Sequence, residues 1–402
     1  MKSSDLKWKG FLRADGSKGI RNIVLVVYTV ECAKHVAQQI VNGVQNVHII
    51  GFSGCQDNEF AIRLLLALSR HPNVGAALFV GLGCEYTQPD QLCKSVKQSG
   101  RISDWFYIQD EGGTLDSIKK GKSIVQDMRK DLDRTSRITQ MGFKDLIVGS
   151  ACGGSDFTSG LSGNPLAGLF FDRLVDLGGR AVFEEIVELV GLLTQLEMRA
   201  STEKTRAELI NSYYKMEAYC KSVQHYSISS GNMIGGLSTI EEKSLGALAK
   251  SGSRDIKGVI KVSEKPPGPG LWLMDSVPDE YYMQFGYTDP NDSEGLMNLL
   301  SAGAQIIIFV TGRGSVIGCP ISPLIKITGN PNTFNKLKGD MDINAGRILN
   351  GEVTFKEATD ELQEFIVRIC KREKTKSEAL KHREHAINYK YQQLNNRDNV
   401  CQ

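Results

Sequence analysis

Short apolar runs rich in β-branched residues recur along the chain, each stopped by glycine or a polar turn. Ile23–Tyr28, Val47–Ile50, Val74–Val80 and Trp105–Ile108 are the first of them. Between them, Cys32–Val44, Glu59–Leu68 and Asp90–Gln98 carry apolar residues at helical spacing, and Thr114 opens another helix to about Arg134. Runs that are continuous, not alternating, mark strands covered on both faces, and strands alternating with helices argue for parallel βαβ units. The pattern resumes beyond the charged stretch Arg129–Arg137 with strands at Asp145–Val148, Ala181–Phe183, Leu271–Met274 and Ile306–Val310, and Leu324–Ile327 with Gly329-Asn330 and Asp340–Asn344 reads as further polar turns. Leu166–Leu177 and the mixed-charge Thr202–Val223 read as helices of this second half. The prediction is an α/β protein of two Rossmann-like, mostly parallel doubly wound units over residues 1–137 and 138–370, with a charged helical or disordered tail over 371–402.

Composition narrows the class without changing the architecture. A chain of 402 residues is long enough for two or three domains, and 41% apolar with 23% charged residues is the make-up of a globular protein. The net charge of +2, with signs interspersed, gives no electrostatic footprint for nucleic acid. No apolar run is long enough to span a bilayer, and the N-terminal residues lack the apolar core of a signal peptide, so a cytoplasmic location is expected. The nine cysteines are odd in number and form no C-x-x-C pair, which argues against a disulfide framework, a zinc finger and a thioredoxin motif. G-x-G-x-x-G after the first strand, G-x-S-x-G and the P-loop lysine are all missing, which disfavours nicotinamide binding, the usual hydrolase elbow and nucleotide hydrolysis.

Candidate chemistry gathers at strand ends. The strand at Asp145–Val148 runs into Gly149-Ser-Ala-Cys152-Gly-Gly-Ser155-Asp156 and on to Asn164-Pro165, a glycine-rich turn carrying a thiol, hydroxyls and a carboxylate. Cys55 and Cys84 lie in similar glycine-flanked turns, so three thiols could converge on a metal, although free cysteine is also a common small buried hydrophobe. Arg13, Asp15, Arg21 and Asn22 precede the first strand and suit a carboxylate-bearing ligand, or else belong to a solvated arm. Glu184, Glu185 and Glu188 supply acid/base groups and oxygen ligands, or else Glu184 and Glu188 sit on a helix's solvated face while Glu185 turns inward. Ser238 and Glu241 fit a capping box, and Lys243 is unremarkable by spacing alone. Arg313, within Thr311-Gly-Arg-Gly-Ser315, fits an anion site. His382 and His385 are expected to be solvated in the tail.

In chain order, Gly10-Phe-Leu-Arg-Ala-Asp-Gly-Ser-Lys-Gly-Ile-Arg-Asn22, Gly81-Leu-Gly-Cys-Glu85, Cys152-Gly-Gly-Ser-Asp156 with Ser159-Gly160 and Asn164-Pro165, Glu185, Glu188, Glu241–Gly246, Phe309–Gly314 and Asp340–Gly346 resemble the altronate/galactarate dehydratase family, specifically its large catalytic part. The large subunit of sulfolactate sulfo-lyase shares these domains. The resemblance implies a metal-dependent lyase, with Fe2+ the usual metal. It would dehydrate a sugar acid such as altronate or galactarate to a 2-keto-3-deoxy acid, or release sulfite from sulfolactate; a non-catalytic sugar-acid-binding member is the other alternative. On that footing Glu185, Lys243 and Asp156 are the catalytic candidates, and Arg21, Asn22, Ser155, Asn164 and Arg313 the substrate-binding ones. Cys55, Cys84 and Cys152 are the candidate metal ligands. Full-length dehydratases of the family carry an additional histidine-bearing SAF domain ahead of these motifs, so a separate small SAF-type subunit and a homo- or hetero-oligomer are expected. Relatives often place a histidine near the turn that here reads Gly51-Phe-Ser-Gly-Cys55, so no ligand role of that histidine carries over.

Overall fold

A computed structural model of the chain describes residues 6–56, 58–224, 226–277 and 291–387. Cys401 lies outside these residues. Among these residues two parallel sheets organise the fold. The first has four strands in the order Val47–Gly51, Ile23–Tyr28, Val74–Gly81, Ile102–Tyr107. The second has seven, in the order Ile256–Lys261, Gly270–Asp275, Arg180–Phe183, Ile147–Cys152, Ile306–Thr311, Leu324–Thr328, Ile343–Asn344. Every pairing within both is parallel. The α/β architecture expected from the alternation of runs is therefore present. Ile23–Tyr28, Val74–Gly81 and Ile306–Thr311 are buried along their whole length, as continuous apolar strands covered on both faces must be.

Helical spacing sets which faces close these sheets. Glu59–Ser69 turns Ala61, Leu64, Leu65 and Leu68 inward and is capped by Asn58, whose side chain accepts from Ala61 N at 3.0 Å. These leucines share one apolar cluster with Met297, Leu299 and Leu300 of the helix Asp292–Ser301, so the two sheets are joined through a common core. On its other face the larger sheet is covered by Asn164–Asp176 and Phe355–Cys370, with Phe170, Phe171 and Ile366 in a second cluster.

Buried amides add a polar seam. Asn73 donates to Gln305 O at 3.2 Å and Ser322 Oγ at 3.0 Å, while Gln305 donates to Lys18 O at 2.8 Å and Asp145 O at 2.9 Å. His71 spans the same seam: its Nδ1 accepts from Asn73 N at 3.0 Å and its Nε2 lies 3.1 Å from Ala304 O, which fixes a neutral imidazole with the proton on Nε2.

Two segments differ from expectation. The turn-rich stretch before the first strand contains the strand Trp8–Leu12, which pairs antiparallel with Lys18–Gly19 and with Arg137–Met141. The end of the charged stretch thus becomes a strand that returns to the start of the chain. Residues 371–387, expected as a charged helical or disordered tail, include the short helix Lys376–Leu380 and pack on the rest of the chain. Arg21 donates to both Glu378 carboxylate oxygens at 2.8 and 2.9 Å, and Thr375 and Ser377 are buried. His382 and His385 are half-buried, not solvated, because this segment docks on the two units; His385 Nε2 lies 3.5 Å from Tyr28 Oη. Among the described residues no helix is long and apolar enough to cross a membrane.

Burial of His71 lowers its pKa from the ordinary 6.5 to about 3, and burial of His48 lowers that group to about 4. As pH falls below about 6.5 the unfolded chain takes up protons that the folded chain refuses. Stability is therefore expected to fall by roughly 1.4 kcal/mol per pH unit for each such histidine until its folded pKa is reached. Urea unfolding at pH 7 and pH 5 checks this, and His71→Gln should flatten the slope; an unchanged slope in that variant would remove His71 from the account.

Candidate active site

The crevice lies where the strand order reverses. From Ile147–Cys152 the chain passes first to Arg180–Phe183 on one side and later to Ile306–Thr311 on the other, so the carboxyl ends of these strands open on a switch point. The two loops leaving it are stitched together: Gly153 N donates to Val310 O at 3.1 Å, and Gly312 N and Arg313 N donate to Gly154 O at 3.2 and 2.9 Å. Gly154 holds φ +57, which permits this crossing without a side-chain penalty. A π-turn at Ser159–Gly163 then feeds the helix Asn164–Asp176. A cavity of about 570 Å³ opens over these loops.

Strand register sets the first contact inside it. Ser150 pairs with Phe183, so two residues further on Cys152 stands level with Glu185. Cys152 N donates to both Glu185 oxygens, at 3.0 and 2.9 Å. The short 3-10 turn Ile186–Glu188 follows at once and brings Glu188 over Cys152, whose Sγ donates to Glu188 Oε2 at 3.0 Å. Opposite them the helix Ile240–Ala249, capped by Thr239, carries Lys243 and ends on Lys250. Lys243 Nζ pairs with Glu188 Oε1 at 2.7 Å and donates to Ser227 O. Lys250 Nζ lies 3.1 Å from Glu188 Oε2 and 3.2 Å from Cys152 Sγ, and also donates to Glu185.

Two carboxylates and two ammonium groups therefore meet in a site where Lys250 is 1% and Glu188 6% exposed, and their formal charges cancel. Burial alone would raise the Glu188 carboxyl, but Lys243 and Lys250 outweigh it and hold the group below the carboxylate range. Burial, reinforced by the Glu188 charge, pushes Glu185 upward against the pull of Lys250. Burial and the same carboxylates keep the Cys152 thiol protonated. Burial works against the Lys250 charge, and the Cys152, Glu185 and Glu188 groups around it outweigh that burial. Asp292, whose carboxylate packs against the bare Cα of Gly153, is raised to about 6 by burial and then by Glu188. Among the described residues, Cys152, Glu185 and Glu188 are the one grouping whose ligand atoms all lie within 4.8 Å of one another, as a bound cation requires.

Comparison with known proteins places this geometry. Residues 143–393 match the family model described as D-galactarate/Altronate dehydratase, C-terminal, and residues 10–133 match D-galactarate dehydratase/Altronate hydrolase, second domain. The chain belongs to the D-galactarate/altronate dehydratase family. It is 30% identical to the (2R)-sulfolactate sulfo-lyase subunit beta of Chromohalobacter salexigens over 95% of this chain and 97% of that one. It is 29% identical to the altronate dehydratase of Bacillus subtilis, covering 90% of this chain and 73% of that one. The galactarate dehydratase (L-threo-forming) of Escherichia coli is also 29% identical, over 90% of this chain and 72% of that one. All three relatives are lyases by name.

Within the family frame, the residues singled out in the sequence divide into two sets. Cys152, Ser155, Glu185, Lys243 and Arg313 all line the cavity. Asp156 does not: its carboxylate accepts from Thr158 N, Thr158 Oγ1, Ser159 N and Asn330 Nδ2, which makes it the cap of the turn. Asn164 donates to Gly246 O at 2.9 Å and so clamps the lysine-bearing helix where Gly160 and Gly246 touch. Arg21 is occupied by Glu378 and the carbonyls of Ile369 and Glu373, and Asn22 by Arg13 and Ser136, away from the cavity. Cys55 and Cys84 do not converge with Cys152. Their turns leave the four-stranded sheet, not the seven-stranded one, and both residues are exposed.

Lys250 and the pairing role of Glu188 escaped the sequence reading, although a signal existed. Glu185 and Glu188 are three apart, which aligns them on a 3-10 turn, and Lys243 and Lys250 are seven apart, which aligns them on an α-helix. The capping residue is also one later than expected: Thr239 accepts from Glu242 N at 3.2 Å.

Glu188→Gln removes the carboxylate shared by both lysines and leaves an excess buried positive charge. It is expected to lower stability by about 3–5 kcal/mol, measured by urea unfolding at pH 7. A change below about 1 kcal/mol would mean that the two lysines do not depend on Glu188.

Proposed function

We propose that the chain is the large catalytic subunit of a hydroxy-acid lyase that dehydrates a sugar acid such as altronate or galactarate to a 2-keto-3-deoxy acid. The observation that carries this is the pairing, beside one cavity, of a carboxyl raised toward neutrality with a lysine-neutralised carboxylate, in a member of a dehydratase family. Such a reaction removes the proton α to a carboxylate, expels the β-hydroxyl, and leaves an enol that tautomerises to the keto acid. Glu185 is the proposed base, since a carboxylate of raised basicity is matched to proton abstraction near neutral pH. Lys243, an ammonium 2.7 Å from Glu188, is the proposed donor to the departing hydroxyl. Arg313 and Ser155 on the facing wall are the proposed anchors for the substrate carboxylate, the guanidinium matching it in two contacts.

The thiol and two carboxylates of Cys152, Glu185 and Glu188 also fit a divalent cation such as Fe2+. Their ligand atoms lie within 4.8 Å of one another, and an ammonium already sits against all three. When bound, such a metal would supply Lewis-acid stabilisation to the charge that develops on the substrate carboxylate.

A second reading shares these steps, with sulfite leaving in place of hydroxide to give pyruvate. It is favoured by the relative named as a sulfo-lyase subunit, which this chain matches over 97% of its length. That relative's name also supports a multi-subunit enzyme. Phe157, Leu161, Met233, Ile234 and Leu245 stand exposed on the segments around the turn, as a site that works with a second chain would leave them.

The test is turnover of altronate, galactarate and sulfolactate by the purified chain, with and without ferrous iron and a small partner subunit. A 2-keto-3-deoxy acid is expected from a sugar acid, and Glu185→Gln should lower kcat roughly 10²–10⁴-fold. Pyruvate and sulfite from sulfolactate alone would establish the second reading. No keto acid from any of the three would overturn both.

A further inference from the structure

Lys250 plays no part in the steps above, yet its ammonium sits at the centre of the cluster. Its ammonium reaches Cys152 Sγ at 3.2 Å, Glu188 Oε2 at 3.1 Å and the Glu185 carboxylate, and these three groups are the same ones that fit a metal. Lys250 is 1% exposed and enters from the body of the protein, as the residue ending the helix Ile240–Ala249, whereas Cys152, Glu185 and Glu188 border the cavity. We propose that the Lys250 ammonium is a resident cation that competes with a divalent metal for Cys152, Glu185 and Glu188, so that metal entry from the cavity displaces it. The proposal rests on the metal reading of this cluster given above.

Space and charge set the two cations against each other. A metal bonded to thiolate and carboxylates stands about 2.0–2.3 Å from each donor atom. An ammonium about 3 Å from the same atoms would then face the ion at close range, without solvent between them. Like charges a few ångströms apart repel strongly in a buried setting, so both cannot hold the three ligands at full strength. Without the metal, Lys250 and Lys243 already balance Glu185 and Glu188, which keeps the ligands together in the absence of any ion. The lysine thus preserves the site and weakens its affinity for metal at the same time.

The test uses the full chain under anaerobic conditions with Co2+ as the probe, following thiolate-to-cobalt absorption and the heat of binding. Lys250→Met is expected to bind Co2+ at least tenfold more tightly than the wild type, with absorption that disappears when Cys152→Ser is added. Equal or weaker binding by Lys250→Met overturns the competition while leaving the metal reading intact. No Co2+ binding by either protein overturns both. Because Lys250→Met leaves two buried carboxylates short of a partner and is at risk of not folding, a wild-type measurement accompanies it. Reductive methylation followed by peptide mass spectrometry should modify Lys250 at least tenfold faster at saturating Co2+ than without it. Equal reactivity in the two states overturns the displacement.

Discussion

The site depends on one electrostatic constraint: charges removed from water must be matched within the site itself. Glu188 stands between two ammonium groups, at 2.7 Å from Lys243 and 3.1 Å from Lys250, and all three side chains are nearly buried. Removing any one member leaves an unpaired buried charge, which costs far more than a surface pair contributes. The same constraint divides the two carboxyls chemically. Glu188 accepts both ammonium groups and is held ionised, while burial and then that ionised neighbour raise the proton affinity of Glu185, which keeps Lys250 as its partner. Two identical side chains three residues apart thereby acquire different proton affinities from their surroundings alone.

The backbone makes this arrangement affordable only because three independent segments are held in register. The parallel pairing of Ile147–Cys152 with Arg180–Phe183 sets Cys152 beside Glu185. The contact of Gly160 with Gly246, secured by Asn164, sets the height of the lysine helix. The hydrogen bonds between Gly154 and Gly312–Arg313 fix the facing wall. Asp156 belongs to this scaffold: its carboxylate fills the space beside Gly312 that a side chain there would need. Residues that look functional by type thus work by positioning the groups that face the cavity.

Much of the fold was legible because parallel strands buried on both faces leave an unmistakable sequence trace. Ile23–Tyr28 and Ile306–Thr311 read as strands with no further information, and helices such as Glu59–Ser69 follow from their spacing. What escaped was short and polar. Trp8–Leu12 alternates over too few residues to stand out, and its partner Arg137–Met141 is mostly exposed. Residues 371–387 are as polar as a free tail and dock through specific ion pairs and caps, Arg21 with Glu378 above all, which hydropathy does not register.

The candidate site was legible in part for a related reason. Cys152, Glu185 and Arg313 announce themselves by following apolar strands, and strand ends are where the crevice of an open parallel sheet must lie. Cys55 and Cys84 follow strands equally well, but of a different sheet, and a linear pattern does not tell which strands share an edge. Lys250 fails the test from the other direction. It ends a helix, follows no strand, and in sequence looks like any lysine near a Ser-Gly turn. Its place in the cluster exists only once the Asn164 clamp brings that helix against the turn. A buried lysine that neutralises carboxylates is thus a product of tertiary packing, and such residues come to light only by asking of each buried acid which cation balances it.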